Sequence, residues 1–229
     1  MNLKTYLGKP VAGAYEAYLA RAERGEAQEP VTDSPVPPAG VNLADYVFMP
    51  QHNLYVAKEK THLGSNWYDA HKLLHQENAR MLTLREFADF LLLLRSGDEE
   101  LRRIYNEIAE VRDPWRAEWL DADFKVINEI LHINYNHRTV NAELKPQNSE
   151  PLENCLMKDC LVDLGSFNRQ GLPAREGSDF NYWFPISDNN SVAGFIACSV
   201  WAILYCVGYP RSSYSALGVR LARRAAPKN

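Results

Sequence analysis

The chain has 229 residues, enough to bury a sizeable core without disulfides or a structural metal. A net charge of −4 and a pI near 5.9, with Lys and Arg nowhere in a long block, exclude sequence-independent attraction to nucleic acid or anionic lipid. No apolar h-region opens the chain, and the longest hydrophobic runs, residues 90–94 and 192–208, are too short or too polar for membrane insertion, so a soluble protein without a signal peptide is expected.

In chain order, residues 15–24 read as a short helix. The following Glu29-Pro30-Val31-Thr32-Asp33-Ser34-Pro35-Val36-Pro37-Pro38 is too proline-rich to continue it, so residues 1–40 are expected to form an arm and linker. A domain over residues 41–229 then opens with two β-prone runs, Tyr46 to Met49 and Leu54 to Ala57, which suggest an early hairpin. A helix with Ser65 as N-cap follows, with Trp67, Ala70, His71 and Leu74 on one face and Asp69, Lys72 and Glu77 on the other.

Thr83-Leu84-Arg85-Glu86 is a capping box, and Leu84, Phe87, Ala88, Leu91 and Leu92 continue from it as an apolar stripe ended by Gly97. Residues 98–111 predict a third helix with Leu101, Ile104, Tyr105 and Ile108 inward, stopped by Asp113-Pro114. The period then changes. Leu131, Ile133 and Tyr135 alternate with polar residues, and a hairpin to residues 140–144 across Asn136-His137-Arg138 is expected, with residues 156–164 and several later segments also strand-like.

Cys155, Cys160, Cys198 and Cys206 lack CxxC spacing, and His132 and His137 make only a loose constellation with the first pair, so reduced structural cysteines are expected. His71 and His75 stand four apart on one helix, but His71-Lys72-Leu73-Leu74-His75 lacks a metalloprotease glutamate. His71 is read as a core-edge packing residue and His75 as a solvated one. No phosphate loop, nucleophile elbow or other catalytic constellation occurs, so no catalytic residue, metal or cofactor is assigned.

Residues 177–227 contain no Lys, Glu, Gln or Met, whereas those types supply 34 of the first 176 residues. Chance alone would leave such a gap with a probability on the order of 10⁻⁴ to 10⁻⁵. Burial in strands depletes Lys and Glu as well, but the segment is not simply hydrophobic. It mixes tyrosines with Ser, Asn and Asp, the palette of antibody loops, where rigid rings supply contact area and short polar groups supply adaptable hydrogen bonds.

Trp67-Tyr68-Asp69-Ala70-His71-Lys72-Leu73-Leu74, with Ala79 to Phe87 behind it, resembles the first helix and following turn of the C-type lectin fold in its formylglycine-generating-enzyme-like branch. The ending Ala216-Leu217-Gly218-Val219-Arg220-Leu221-Ala222-Arg223 is similar to the closing strand of that branch. The resemblance covers roughly residues 41–224 and implies an α+β, C-type-lectin-like fold, helices packed on short antiparallel strands.

With the composition gap, the whole resembles the variable proteins of diversity-generating retroelements. There, adenine-directed mutagenesis of AAY codons leaves pyrimidine-ending codons, which cannot encode Lys, Glu, Gln, Met or Trp. The resemblance implies a diversified ligand-binding segment over about residues 177–224, recognising a macromolecular partner, a protein or cell surface, in a cytoplasmic or virion-associated setting. The oligomeric state stays open, with a monomer favoured.

The contact residues expected are Asp179, Asn181, Tyr182 and Phe184; Ser187, Asp188, Asn189 and Asn190; and Tyr205, Tyr209, Arg211, Ser212, Ser213 and Tyr214. Trp183, Trp201, Gly208, Pro210, Gly218 and Arg220 are assigned to the scaffold. Calcium-dependent sugar binding is not carried over, because Glu150-Pro151-Leu152 breaks the Glu-Pro-Asn motif and Trp-Asn-Asp is absent. Two other readings are a formylglycine-generating-type oxidoreductase using Cys198 and Cys206, and a structural virion or assembly protein whose tyrosines form an obligate interface.

Overall fold

In the computed structural model, placement is described for Thr5–Tyr6, Lys9–Pro10, residues 37–38 and residues 41–226. The helix expected over residues 15–24 lies outside the described residues, as does the proline-rich run apart from its last two prolines. The chain divides into a unit of Met1–Val36 with Pro227–Asn229 and a larger unit, Pro37–Ala226. In the first, β1 (Thr5–Tyr6) pairs antiparallel with β2 (Lys9–Pro10).

The larger unit is mixed α/β, with a sheet-dominated core and, among the described residues, three α-helices; the sheet does not close into a barrel. None of these helices is long and apolar enough to cross a membrane. β3 (Tyr46–Met49) and β4 (Leu54–Thr61) form the early hairpin, with Asn53 turning the chain at φ 52°.

α1 (Trp67–Gln76) is capped by Asn66 rather than Ser65, because the Asn66 carboxamide oxygen reaches the Asp69 amide at 3.0 Å. Trp67, Ala70, His71 and Leu74 are all buried. α2 (Leu84–Ser96) carries both bonds of its capping box, Glu86 N–H to Thr83 Oγ1 at 3.3 Å and Thr83 N–H to Glu86 Oε2 at 2.9 Å. α3 (Glu99–Ala109), capped by Asp98, buries Ile104 and Ile108, while Leu101 and Tyr105 are half-buried.

The sheet is organised on β5 (Arg116–Ile127). β6 (Ile130–Tyr135) returns antiparallel along its second half, Asp123 opposite Asn134. β7 (Arg138–Val140) and β8 (Glu143–Lys145) form a separate hairpin, and β9 (Asn148–Pro151) pairs with β6. The expected pairing of residues 131–135 with 140–144 is therefore corrected. Asn128-Glu129 and Asn141-Ala142 are the two-residue turns, all four residues at positive φ, and they place the reversals on either side of Asn136-His137-Arg138.

β10 (Cys160–Val162), β11 (Phe180–Trp183), β12 (Ser191–Ala197), β13 (Ala202–Gly208) and β14 (Leu217–Arg224) complete the order β10-β11-β13-β12-β5-β14-β4-β3. Only Cys160–Val162 of the strand-like stretch 156–164 is strand. β11 runs parallel to β13 and β14 parallel to β5, whereas β14 and β4 are antiparallel, so the closing strand lies beside an opening one.

Both faces of the sheet are covered, and alternate residues divide between them. Leu204 and Cys206 of β13 join Phe87, Phe180 and Phe195 in the core that α2 and α3 also line. Ile203 and Tyr205 join Trp67, Trp119, Leu217 and Val219 in the core under α1. Each large side chain removed from water this way stabilises the fold by about 1.5–3 kcal/mol.

Candidate functional site

The segment singled out by composition supplies β11, β12, β13 and their connections, so part of it is interior and part is surface. Tyr182 is completely buried beside Leu204, and Tyr205 is 6 % exposed, so neither reaches the surface as expected of contact residues. Strand period 2 is the physical reason: with Phe180 inward, Tyr182 must follow it. Tyr205 packs on Trp119, in space that Gly194 and Gly208 leave open. A Cβ on Gly208 would come within 2.6 Å of the Tyr205 ring, and one on Gly194 would meet its hydroxyl.

Asp179 is also engaged within the fold. It pairs with Arg95 of α2 at 2.7 Å and accepts the Leu164 amide at 2.8 Å. In the loop before β12, Asp188 accepts from the Asn190 amide at 3.0 Å and the Ser191 hydroxyl at 2.7 Å. Asn189, at φ 58°, uses its carboxamide oxygen to accept the Val126 amide at 2.6 Å and receives Lys125 on its carbonyl. These side chains shape the loop, although Asp188, Asn189, Ser187 and Asn190 all remain exposed. Asn181 and Phe184 are half-buried, Asn181 donating to the Ala202 carbonyl at 3.4 Å.

Trp183 and Trp201, assigned to the scaffold, are instead at the surface, 37 % and 42 % exposed, with their rings edge to face at 6.2 Å. Tyr209 and Tyr214 are exposed at 54 % and 62 %, Tyr214 standing edge to face on Trp115 at 5.8 Å. Within residues 41–226, these four are the only exposed Phe, Trp or Tyr side chains, and all lie between residues 183 and 214. Val200 and Ile186 are exposed there too, and Arg211 and Ser213 accompany the tyrosines, with Ser212 half-buried.

The supporting frame is tied down. The Trp67 amide at the start of α1 donates to the Pro210 carbonyl at 3.0 Å, and the Lys60 ammonium bridges the Ala216 and Ala117 carbonyls at 3.1 and 2.9 Å. Gly208, Pro210 and Gly218 are buried, and Arg220 is buried in a two-pronged bond to Glu118, at 3.0 and 3.2 Å.

No family model matches the chain, and no curated protein or solved structure is significantly similar to it.

Cys198 and Cys206, the pair expected of an oxidoreductase, are not brought together. All four are free thiols, and Ala197 lies opposite Ala202 in the β12–β13 ladder. Cys206 therefore sits four residues further along β13, roughly 13 Å from that end at strand rise. Burial, with Cys155 nearby, also pushes the Cys206 thiol well above its ordinary pKa, away from the reactive thiolate.

Proposed function

We propose that this chain is a binding protein, not an enzyme, with a C-type-lectin-like fold whose diversified surface, centred on Trp183, Trp201, Tyr209 and Tyr214, recognises a macromolecular ligand on a protein or cell surface. The observation that carries the reading is that, within residues 41–226, exposed aromatic rings are confined to the segment that lacks Lys, Glu, Gln and Met. Aromatic rings with polar neighbours are the groups that dominate protein recognition, and rings already held by a partner lose little freedom on binding.

The fold assignment draws support from the antiparallel pairing of β14 with β4 and from helices placed before the central strands. Pyrimidine-ending codons cannot encode Trp, so Trp183 and Trp201 would be constant anchors, with variation confined to their exposed neighbours. The test is to probe an array of extracellular protein domains with the purified chain and with a W183A/W201A/Y209A/Y214A variant of unchanged circular dichroism. Binding by the parent that the variant loses is expected. Equal binding by both would overturn the proposal.

A further inference from the structure

Three side chains that the recognition surface does not use meet in the interior. His71 comes from the middle of α1, Asp121 from β5, and His137 from the bend that follows β6. Their side chains are 0 %, 1 % and 3 % exposed. Asp121 accepts from the His137 amide at 3.1 Å and holds the His137 Nδ1 at 2.5 Å from Oδ1. On the far side of that ring, Nε2 lies 3.4 Å from Oδ1 of Asp123.

His71 is the anomaly. Its Nε2 is 3.7 Å from Asp121 Oδ1, too long for a hydrogen bond, and neither of its ring nitrogens has a hydrogen-bond partner. A fully buried imidazole with both nitrogens unpaired is costly and calls for an explanation. A neutral imidazole carries a lone pair on one ring nitrogen, and at His71 nothing in the interior accepts or donates to either nitrogen. Trp67 walls the group edge-on, 4.4 Å from His71 and 5.0 Å from His137.

We propose that His71, Asp121 and His137 form a binding site for one divalent cation of the zinc type. One donor atom from each lies within 4.8 Å of the others. A tetrahedral ion with bonds of about 2.0–2.1 Å needs donors roughly 3.4 Å apart. The His71–Asp121 gap already fits, and the His137–Asp121 contact must open by less than about 1 Å. Two imidazoles and one carboxylate suit zinc, whereas calcium or magnesium would require a shell of oxygens.

The ion would take the place of the hydrogen bond between His137 Nδ1 and Asp121 Oδ1. The ion would fasten α1 to β5, and through the Trp67 amide it would steady Pro210 at the base of the exposed loop.

The test uses the full-length, tag-free chain stripped with chelator and titrated with Co²⁺, then with competing Zn²⁺. One equivalent of Co²⁺ giving the intense visible bands of tetrahedral coordination, bleached by Zn²⁺, is expected. H71Q removes a direct ligand and should weaken binding by more than the loss of an outer-shell partner does, about 100-fold or more, while H132Q should leave it unchanged. A parent chain that takes up no Co²⁺, or shows only the pale bands of octahedral coordination, overturns the site without recourse to any variant. So does an H71Q chain that binds like the parent.

Discussion

The ring of Tyr205 fills the space that a side chain on Gly194 would need. That relationship turns a tyrosine expected at the surface into a pillar between the sheet and Trp119, and it separates what holds the segment up from what the segment displays. Gly194→Ala should therefore overpack this site and lower stability by about 1–3 kcal/mol. Urea unfolding of G194A checks it, and an unchanged midpoint would contradict the packing.

The exposed rings should behave oppositely. Tyr209→Ala, at an exposed ring, should move stability by less than about 0.5 kcal/mol, whereas Tyr214→Ala gives up the edge-to-face contact with half-buried Trp115 and should cost about 0.5–1.5 kcal/mol. On a ligand captured from the array, each should weaken binding by about 2 kcal/mol if it lies at the centre of the contact. Calorimetric melting and surface plasmon resonance on the same preparations separate the two effects.

The Glu118–Arg220 pair joins β5 to β14 at the heart of the sheet, and Arg220 also donates to the Ala57 carbonyl at 3.0 Å and to the Lys58 carbonyl. Glu118→Leu leaves a buried guanidinium without its counter-charge and should cost about 3–5 kcal/mol. The double change E118L/R220L should recover much of that loss, because no charge is then stranded. Denaturant unfolding of the single and double variants decides between these outcomes.

Burial works to raise the Glu86 pKa, but the Arg80 guanidinium, bonded at 2.6 and 2.7 Å, and the Thr83 amide overrule it and hold the carboxyl below its ordinary 4.5. A carboxyl depressed in the folded state stabilises above its unfolded pKa and loses that contribution as pH falls through the folded value. Melting temperature should thus decline below pH 4.5 more steeply in the parent than in Glu86→Gln. Parallel acid limbs would contradict the assignment.

The helices were legible because their signals are local. The Thr83 and Glu86 cap and the 3.6-residue stripes act within a few residues, and the same residues form the observed faces. β5 was not legible because it is covered on both faces and carries Glu118, Asp121 and Asp123, whose partners Arg220 and His137 lie elsewhere in the sequence. The β5–β6 reversal and the separate β7–β8 hairpin hid because their turns use Asn128-Glu129 and Asn141-Ala142 rather than the usual Asn-Gly.

Composition located the surface segment but not its orientation. Whether Tyr182 or Trp183 faces water depends on strand register, and codon chemistry, which bears on whether a tryptophan can vary, says nothing of whether Trp183 and Trp201 are exposed. The buried histidine cluster was invisible for another reason: His71 and His137 are 66 positions apart and converge only through β5.

Sequencing the DNA around the gene is the decisive measurement for a diversified recognition surface. Such a surface requires an imperfect repeat of the codons for about residues 177–224 beside a reverse transcriptase. Its differences should fall at adenines and at codons of exposed positions such as Asn190, Val200, Tyr209, Arg211, Ser213 and Tyr214, sparing Tyr182, Trp183, Trp201 and Tyr205. A locus with no such repeat, or one whose differences fall on the buried tyrosines, would contradict it.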